Sequence, residues 1–527
     1  MLRINQIKLP IDHDKKQLEV KIRKILKLNK NTPIDYEIFK RSIDARKKPD
    51  LYYVYSVNVH INNEMGLVER LKNKSVMIVE DKVYQVPECG DRILKNRPVV
   101  VGAGPAGLFC AYILCEAGFS PIVIERGMKI EERQKEVARF WKSGILNPNS
   151  NVQFGEGGAG TFSDGKLNTA VKDPIGRNRL VLETFVKFGA QSSILYEGKP
   201  HIGTDILSNV IINMRNYLIE KGCEFRFETR LSDIIIDGNK ITKIVCDDRS
   251  MEADVLVLAL GHSSRDTFIR LHELGIPMEA KNFAVGFRVE HPQKMIDECM
   301  YGSSRIDLPA SPYKVTSNFP NGRGVYSFCM CPGGYVVNSS SEQGCTVVNG
   351  MSYSKRDGLN ANSAIIVSVT PQDFGETDAL AGMRYQIQLE EKNYQIGNGR
   401  IPQQLFGDFC NNTVSTSYGE FESMTKGDTV FANLRGLMSE DMETSFILGM
   451  QHFGHIVPEF DRKDAILSGM ETRTSSPIRI NRGSGFESEI HGLYPCGEGA
   501  GYAGGITSAA MDGIKVAEAI IRKYKPN

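Results

Sequence analysis

The chain has 527 residues, of which 41% are hydrophobic and 24% are charged, and its net charge is +1. These values predict a globular protein of about three domains and exclude a protein whose whole surface binds a polyanion. Eleven scattered cysteines, no signal-peptide core and no apolar run near the roughly 18 residues of a membrane span together predict a cytoplasmic protein with reduced thiols and no membrane partner.

Residues 1–92 are predicted to form a small basic α+β domain. Apolar residues alternate over 4–9, recur at helical spacing over 17–28, and alternate again over 36–43 and 52–61. Residues 1–97 contain 21 Lys and Arg against 13 Asp and Glu. This excess can indicate an anionic partner such as RNA, but a solvated basic face is the favoured interpretation.

A dinucleotide-binding unit is predicted from residue 99. A short apolar strand runs into a glycine-rich turn and a helix, and a second strand ends at Glu125. Gly102 permits the tight turn, Gly104 lets the backbone approach a pyrophosphate, and Gly107 allows close packing of helix and strand. Glu125 can accept hydrogen bonds from a ribose and would repel the 2′-phosphate of NADP. The predicted cofactor-binding residues here are Gly102, Ala103, Gly104, Pro105, Ala106, Gly107 and Glu125.

A glycine-rich segment at 153–167 favours FAD over NAD. It offers many backbone N–H groups, two hydroxyls and one cation, which suits a long cofactor that lies across a sheet; a mobile surface loop is the alternative. The predicted cofactor-binding residues here are Gly160, Thr161, Phe162, Ser163, Gly165 and Lys166.

Two further segments also favour FAD. A buried strand at 253–261 ends at Gly261, and residues 492–507 precede a last helix that is rich in small residues. The N-terminal amides of that helix can face the flavin edge that becomes negative on reduction. Residues 499–504 also match GxGxxG, but no second strand with a terminal acid follows, so we do not predict an NAD site there. The predicted cofactor-binding residues are Gly261, Gly497, Glu498, Gly505, Ile506 and Thr507.

These segments predict an α/β fold with a doubly wound, Rossmann-like FAD-binding domain made of residues 97–272 and 470–527. The section 275–465 contains short strand-like runs, including 325–328, 335–338, 345–348 and 364–369. We therefore predict a mixed or antiparallel β-rich insert, which serves as a substrate or cap domain.

Residues 97–527 resemble a bacterial group of FAD-dependent dehydrogenases within the glutathione-reductase-like NAD(P)/FAD-dependent oxidoreductase superfamily. The resemblance rests on VVVGAGPAGLFCA (99–111), GEGGAGTFSDGKL (155–167), YSFCMCPGG (326–334), ETRTSSPIRI (471–480) and LYPCGEGAGYAGGITSAAMDG (493–513). It implies that Arg126 and Arg133 approach the adenosine or pyrophosphate and that Thr229 and Arg230 lie beside the adenine. It also implies that Glu498 replaces the aspartate that binds a ribityl hydroxyl.

Four residues are candidates for the chemistry. Cys329 and Cys331 can form a redox pair, although on an extended strand both would point to one face and the favoured interpretation is packing. His262 can act as a general acid–base, or be a structural histidine. Arg473 can bind an anionic substrate or the cofactor, or form a structural ion pair. No metal site is predicted, since no second cysteine pair or histidine lies at ligand spacing.

The sequence therefore predicts an FAD-dependent oxidoreductase with a small-molecule substrate and a transiently docking NAD(P)H. The alternative is a flavoprotein that binds an anionic macromolecule such as RNA through residues 1–97. We favour the first hypothesis because the charge excess of the N-terminal domain is modest.

Overall fold

A computed structural model describes residues 1–29, 31–80, 82–302, 308–375 and 378–527. The N-terminal elements are β1 (Leu2–Pro10), α1 (Lys15–Leu26), β2 (Asp35–Lys47), β3 (Asp50–His60), α2 (Glu64–Leu71) and β4 (Val76–Ile78). The strands form one antiparallel sheet in the order β2-β3-β1-β4. Part of the basic charge of this domain is neutralised, because Lys8 and Arg46 both pair with Asp44.

A parallel sheet forms the centre of the next section. Its elements are β5 (Arg92–Ile93), β6 (Val99–Val101), α3 (Pro105–Glu116), β7 (Ile122–Ile124), α4 (Ile130–Ser143), α5 (Arg177–Lys187), α6 (Thr204–Glu220), β8 (Glu224–Arg226), β9 (Leu231–Asp237), β10 (Lys240–Cys246), β11 (Arg249–Glu252), β12 (Leu256–Leu258), α7 (Arg265–Glu273) and β13 (Met278–Ala280). Strands β6, β7 and β12 are buried throughout and consist of Val, Ile and Leu, as expected of strands covered on both faces. The Rossmann-like unit is thus present where the glycine motif predicted it.

The middle section is built on a seven-stranded sheet. Its elements are β14 (Phe283–Pro292), α8 (Gln293–Tyr301), β15 (Thr316–Asn318), β16 (Gly324–Cys331), β17 (Tyr335–Asn338), β18 (Val348–Met351), β19 (Asn360–Val369), α9 (Pro371–Phe374), α10 (Ala381–Gly397), β20 (Ile401–Leu405), α11 (Phe406–Asn411), β21 (Thr425–Lys426), β22 (Thr429–Phe431), α12 (Glu440–Ile456), β23 (Ile466–Glu471) and β24 (Ile478–Ile480). The sheet order is β15-β16-β19-β14-β23-β20-β22.

Sequence patterns underestimated the helices of this section. Helix α10 has 17 residues, and its buried positions include Gln386, Glu390 and Asn393. Because polar residues occupy its inner face, the apolar periodicity that indicates a helix is weak. The strand expected at 345–348 is also displaced, since β18 begins at Val348.

The chain then returns to the parallel sheet through β25 (Leu493–Pro495), α13 (Ile506–Lys523) and β26 (Tyr524–Lys525). Strand β25 pairs with β12 and gives the order β25-β12-β6-β7-β8. Helix α13 packs on α3, and a Cβ on Gly513 would lie 2.0 Å from the carbonyl oxygen of Ala106. In the described residues, no helix has the length and apolar character that crossing a membrane requires.

Candidate functional site

A long cavity of about 390 Å³ lies at the carboxyl ends of β6, β7, β8 and β12, where the strand order reverses. Such a switch point is where doubly wound sheets bind their ligands. The predicted site residues on its wall are Gly102, Gly104, Pro105, Ala106, Glu125, Arg126, Gly160, Ser163, Gly165, Lys166, Arg230, Gly261, His262, Cys329, Arg473, Glu498, Gly505 and Ile506. Those behind the wall are Ala103, Gly107, Arg133, Thr161, Phe162, Cys331, Gly497 and Thr507.

The three glycines of the first turn differ in what a side chain would meet at each position. Gly102 has a φ of 104°, and a Cβ there would lie 2.2 Å from the carbonyl oxygen of Ala259. A Cβ on Gly107 would lie 1.8 Å from the carbonyl oxygen of Gly102. Gly104 is different, since the nearest atom to its Cβ would be the Gly158 Cα at 3.8 Å. The protein itself would tolerate a side chain at Gly104, so glycine leaves that space to a ligand at the N-terminus of α3.

Glu125 is hydrogen-bonded to the backbone of three loops at the cavity wall. Its carboxylate accepts hydrogen bonds from the backbone N–H groups of Ala103, Gly127 and Gly155, each at 2.9 Å. The side chain still lines the cavity. A carboxylate has about four acceptor sites, so the predicted ribose contact and this structural role are compatible.

Arg126 and Arg230 close one end of the cavity. Arg126 lies over the ring of Phe154 and donates to both carboxylate oxygens of Asp266, at 2.6 and 2.7 Å. Arg230 reaches the same carboxylate at 3.4 Å, and Thr229 lies beside it on the wall. These residues follow β7 and β8, on the side where the adenosine half is expected. Asp266 was not predicted from the sequence, because it lies about 140 residues from Arg126.

Arg133 lies behind the glycine-rich segment and not on the cavity wall. It is fully buried and donates to five carbonyl oxygens, those of Asn151, Val152, Gly155, Glu156 and Gly158. Burial lowers its pKa to about 10. The expected approach to the cofactor is therefore replaced by a role in holding residues 151–158 in place.

The predicted residues Thr161, Phe162 and Ser163 of the glycine-rich segment differ in whether they face the cavity. Ser163 lines the cavity, and its hydroxyl donates to the Gly160 carbonyl oxygen at 2.7 Å. Thr161 is fully buried away from the cavity, and Phe162 packs on Trp141. The sequence could not distinguish them, because the short 3-10 turn at Ala159–Phe162 decides which side chains face inward.

The carboxylate of Glu498 contacts two residues that are distant in sequence, His262 and Ser476. Its Oε2 accepts from the backbone N–H of His262 at 3.0 Å and lies 2.8 Å from Nδ1 of the same residue, and its Oε1 accepts from the Ser476 N–H at 2.9 Å. Nε2 of His262 is buried and has no hydrogen-bond partner among the described residues. The contact with Glu498 orients the ring through Nδ1, and His262 lines the cavity. The general acid–base role and the structural role of His262 both stay predictions.

The start of α13 forms part of the wall beside the start of α3. Gly504, Gly505 and Ile506 line the cavity, so the N-terminus of the helix faces it. Thr507 points away, and its hydroxyl donates to the Leu167 carbonyl oxygen at 2.9 Å. Gly497 also lies behind the wall, where its N–H donates to Asp512.

Cys329 and Cys331 do not share one face, contrary to the expectation for an extended strand. The pairing of β16 with β19 shifts between Phe328 and Cys331, and Cys329 has a φ of 46°. This bulge places Cys329 on the cavity wall, whereas Cys331 is fully buried with its Sγ 3.1 Å from Arg288 Nη2. Both thiols are free. Burial raises the pKa of Cys331 to about 12, so it stays protonated.

Arg473 lies in a buried ion cluster with all five N–H donors occupied. It binds Glu390 through two bonds and also reaches Glu342, Ser263 and Ser341. No donor remains for a substrate anion, so the ion-pair interpretation fits the geometry.

The same cluster contains three groups at metal-ligand spacing, Glu342, Cys345 and Glu390. Arg265 and Arg473 already bind the two carboxylates. Burial raises the pKa of Cys345 to about 12, which keeps the thiol protonated. Two guanidiniums and a neutral thiol make this a poor cation site.

Three family models match the chain. Residues 282–474 match a C-terminal domain described as that of FAD-dependent proteins, residues 100–130 match a NAD(P)-binding Rossmann-like domain, and residues 1–60 match a domain of unknown function. A Clostridium beijerinckii protein, named as an uncharacterized protein, is 45% identical over 529 residues, and the match covers 99% of each chain.

The chain belongs to this family of FAD-dependent proteins. Its cofactor is FAD. The residues present fit that group, because the space at Gly104 and the N-termini of α3 and α13 all face one cavity. Partial positive charge at two helix ends suits a pyrophosphate and a flavin.

Solved structures with lower similarity include E. coli quinol fumarate reductase (12% identity, 82% of this chain and 71% of that chain, TM-score 0.38) and Bacillus cereus glycine oxidase (12%, 81% and 95%, 0.36). A flavin-dependent brominase matches with 16% identity over 80% and 78% of the two chains, at a TM-score of 0.37. At TM-scores this low, nothing about fold or activity is transferred from them.

Proposed function

We propose that this FAD-dependent protein is an oxidoreductase whose small organic substrate reacts at the cavity end formed by Lys166, Cys329 and Asn349. When bound, FAD supplies the transfer of hydride or electrons. The observation that carries the proposal is that one cavity is lined both by Gly104 and Arg126 and by these three side chains.

The charges at this end favour an anionic group. Lys166 is about a third exposed, and its ammonium lies 3.9 Å from Asp164, whose carboxylate is already bound by Arg356. The start of α13 adds partial positive charge on the same wall. Lys166 therefore stabilises negative charge on a bound substrate or on the cofactor ring.

Cys329 supplies a neutral thiol to the wall. Burial raises its pKa, and this effect outweighs the nearby cations Lys166 and Arg288. A protonated, polarisable side chain excludes water from the reacting groups and brings no charge of its own.

The reductant is the organic substrate or a transiently docking NAD(P)H. The chain has the strand, turn, helix and acid of a dinucleotide site at 99–125. The second glycine run, at 499–504, leads into α13, whose first residues already line the same cavity. A nicotinamide cofactor would therefore dock elsewhere.

Anaerobic titration of the yellow holoprotein with NADH, NADPH and a panel of metabolites tests the proposal. We expect at least one compound to bleach the visible flavin bands. Lys166→Met should slow that reduction without loss of bound FAD, and Lys95→Met is the matched control, because Lys95 is 79% exposed beside Glu252. A colourless protein that cannot be reconstituted with FAD, or one that no compound reduces, would contradict the proposal.

A further inference from the structure

A second cavity lies between the N-terminal domain and the FAD-binding part. Its volume is about 1570 Å³, and its wall includes residues of β2, of α5 and of the segment 194–198. This is larger than the roughly 300–1,000 Å³ of ordinary small-molecule pockets. Asn168 lines both this cavity and the cofactor cavity. The size favours a ligand larger than a metabolite.

The edge of a sheet borders this cavity. Strand β2 is the outermost strand in the order β2-β3-β1-β4. Five consecutive residues, 36–40, line the cavity. Because successive side chains of a strand point to opposite faces, this run of consecutive residues places the backbone edge of β2 at the cavity. Arg3, Asn58 and Ile78 extend the cavity wall across the other strands of the sheet.

The protein already uses the adjoining part of this edge for strand pairing. The Arg41 N–H donates to the Tyr196 carbonyl oxygen at 2.7 Å, and the Gly198 N–H donates to the Arg41 carbonyl oxygen at 2.6 Å. These bonds form an isolated parallel bridge between Arg41 and Glu197. Over 36–40, β3 is the strand paired with β2, and no described strand pairs with its outer edge.

Apolar side chains are exposed on the wall of this cavity. Phe39 is 39% exposed, Ile78 47%, Val83 73% and Val171 41%, and all four line the cavity. The cations on the wall are balanced by acids, for example Arg179 by Glu183. A ligand that suits this wall has apolar side chains and little net charge.

We propose that this groove binds an extended polypeptide segment of a partner protein, which adds to β2 as a further strand beside residues 36–40. The backbone edge supplies hydrogen bonds, and Phe39, Val83 and Val171 contact apolar side chains of the segment. The proposal goes beyond the oxidoreductase activity and does not depend on it. It places a partner next to Asn168, at the boundary of the cofactor cavity.

Selection of short random peptides displayed on phage against the FAD-loaded protein tests the proposal. An enriched peptide, synthesised with a fluorophore, should bind Val83→Asp and Phe39→Asp about tenfold or more weakly, since interface anchors contribute at this level. Val20→Asp is the matched control, because Val20 is 65% exposed on α1 outside the groove. Methylation of alternate backbone nitrogens of the peptide should remove binding.

Hydrogen exchange of the full-length holoprotein gives a second readout that does not depend on variants. Peptide binding should slow the exchange of outward-facing amides in 36–40. The proposal is overturned if no peptide is enriched, if the peptide tolerates N-methylation, if Val20→Asp weakens binding as much as Val83→Asp, or if the protected amides lie elsewhere.

Discussion

The guanidinium of Arg288 donates a hydrogen bond to the carbonyl oxygen of Cys329, with 2.6 Å between Nη2 and the oxygen. Cys329 has a φ of 46°, a left-handed conformation that costs a non-glycine residue free energy. Arg288 is fully buried and pairs with Glu471 at 2.8 Å. A buried ion pair behind the wall therefore fixes the side chain that faces the cofactor cavity.

Replacement of Arg288 by Met should destabilise the protein strongly. It would leave the carboxylate of Glu471 buried without its partner, which costs about 3–5 kcal/mol. Arg179→Met is the control, because Arg179 and Glu183 are 41% and 51% exposed and such pairs contribute about 1 kcal/mol or less. Urea unfolding measures both, and equal losses would contradict the importance of Arg288.

Substitutions of the two cysteines should have different effects. Cys331→Ser should leave flavin reduction by an active reductant nearly unchanged, because this thiol lies behind the wall and stays protonated. Cys329→Ser changes the wall itself and should alter the rate. Stopped-flow reduction of both variants measures this, and an equal, complete loss in both would instead indicate a redox pair.

The glycines of the first turn should separate cofactor binding from stability. Gly104→Leu should weaken FAD binding, since the side chain would take space on the cavity wall, with little effect on the free energy of unfolding of the apoprotein. Gly107→Ala should destabilise the fold, because its Cβ would lie 1.8 Å from the Gly102 carbonyl oxygen.

Gly485→Ala is the control for both glycine variants, since a Cβ there would meet nothing within 4 Å. FAD titration and thermal unfolding distinguish the two effects. A Gly104→Leu protein that binds FAD like the wild type would show that this turn does not hold the cofactor.

His291 should make the protein sensitive to acid. Burial lowers its pKa from 6.5 to about 4, while its Nε2 contacts the Phe460 carbonyl oxygen at 2.7 Å. The unfolded chain takes up a proton below pH 6.5 and the folded chain does not until pH 4. Stability is therefore present above pH 6.5 and falls by about 3 kcal/mol as the pH drops to 4.

His291→Gln keeps a donor for the Phe460 carbonyl but cannot titrate, so its unfolding free energy should depend less on pH over this interval. His452→Gln, at an exposed position on α12, should retain the wild-type slope. Identical slopes in wild type and His291→Gln would refute this assignment.

Local sequence patterns were sufficient to predict the elements whose residues lie close together in sequence. The strand at 99–101, the turn at Gly102 to Gly107 and the acid at Glu125 form one continuous unit, so their spacing fixes their geometry. The segments at 155–167 and 493–507 were recognised as cofactor segments in the same way, and both contribute to the cavity wall.

Long-range partners decided what the side chains do. The sequence does not show that the carbonyl groups of 151–158 surround Arg133, that Glu498 binds His262, or that Arg473 is fully occupied by Glu390 and its neighbours. Asp266 and Arg288 were missed for the same reason.

The sequence by itself determined that a Rossmann-like turn is present at 99–107 and that a second glycine-rich segment precedes the last helix, because glycine spacing and short apolar strands act over a few residues. The tertiary structure alone decided which polar groups face the cavity and which hold its wall. Hydrogen bonds and ion pairs form between atoms a few ångströms apart, and residues separated by a hundred positions or more reach that distance only when the chain folds.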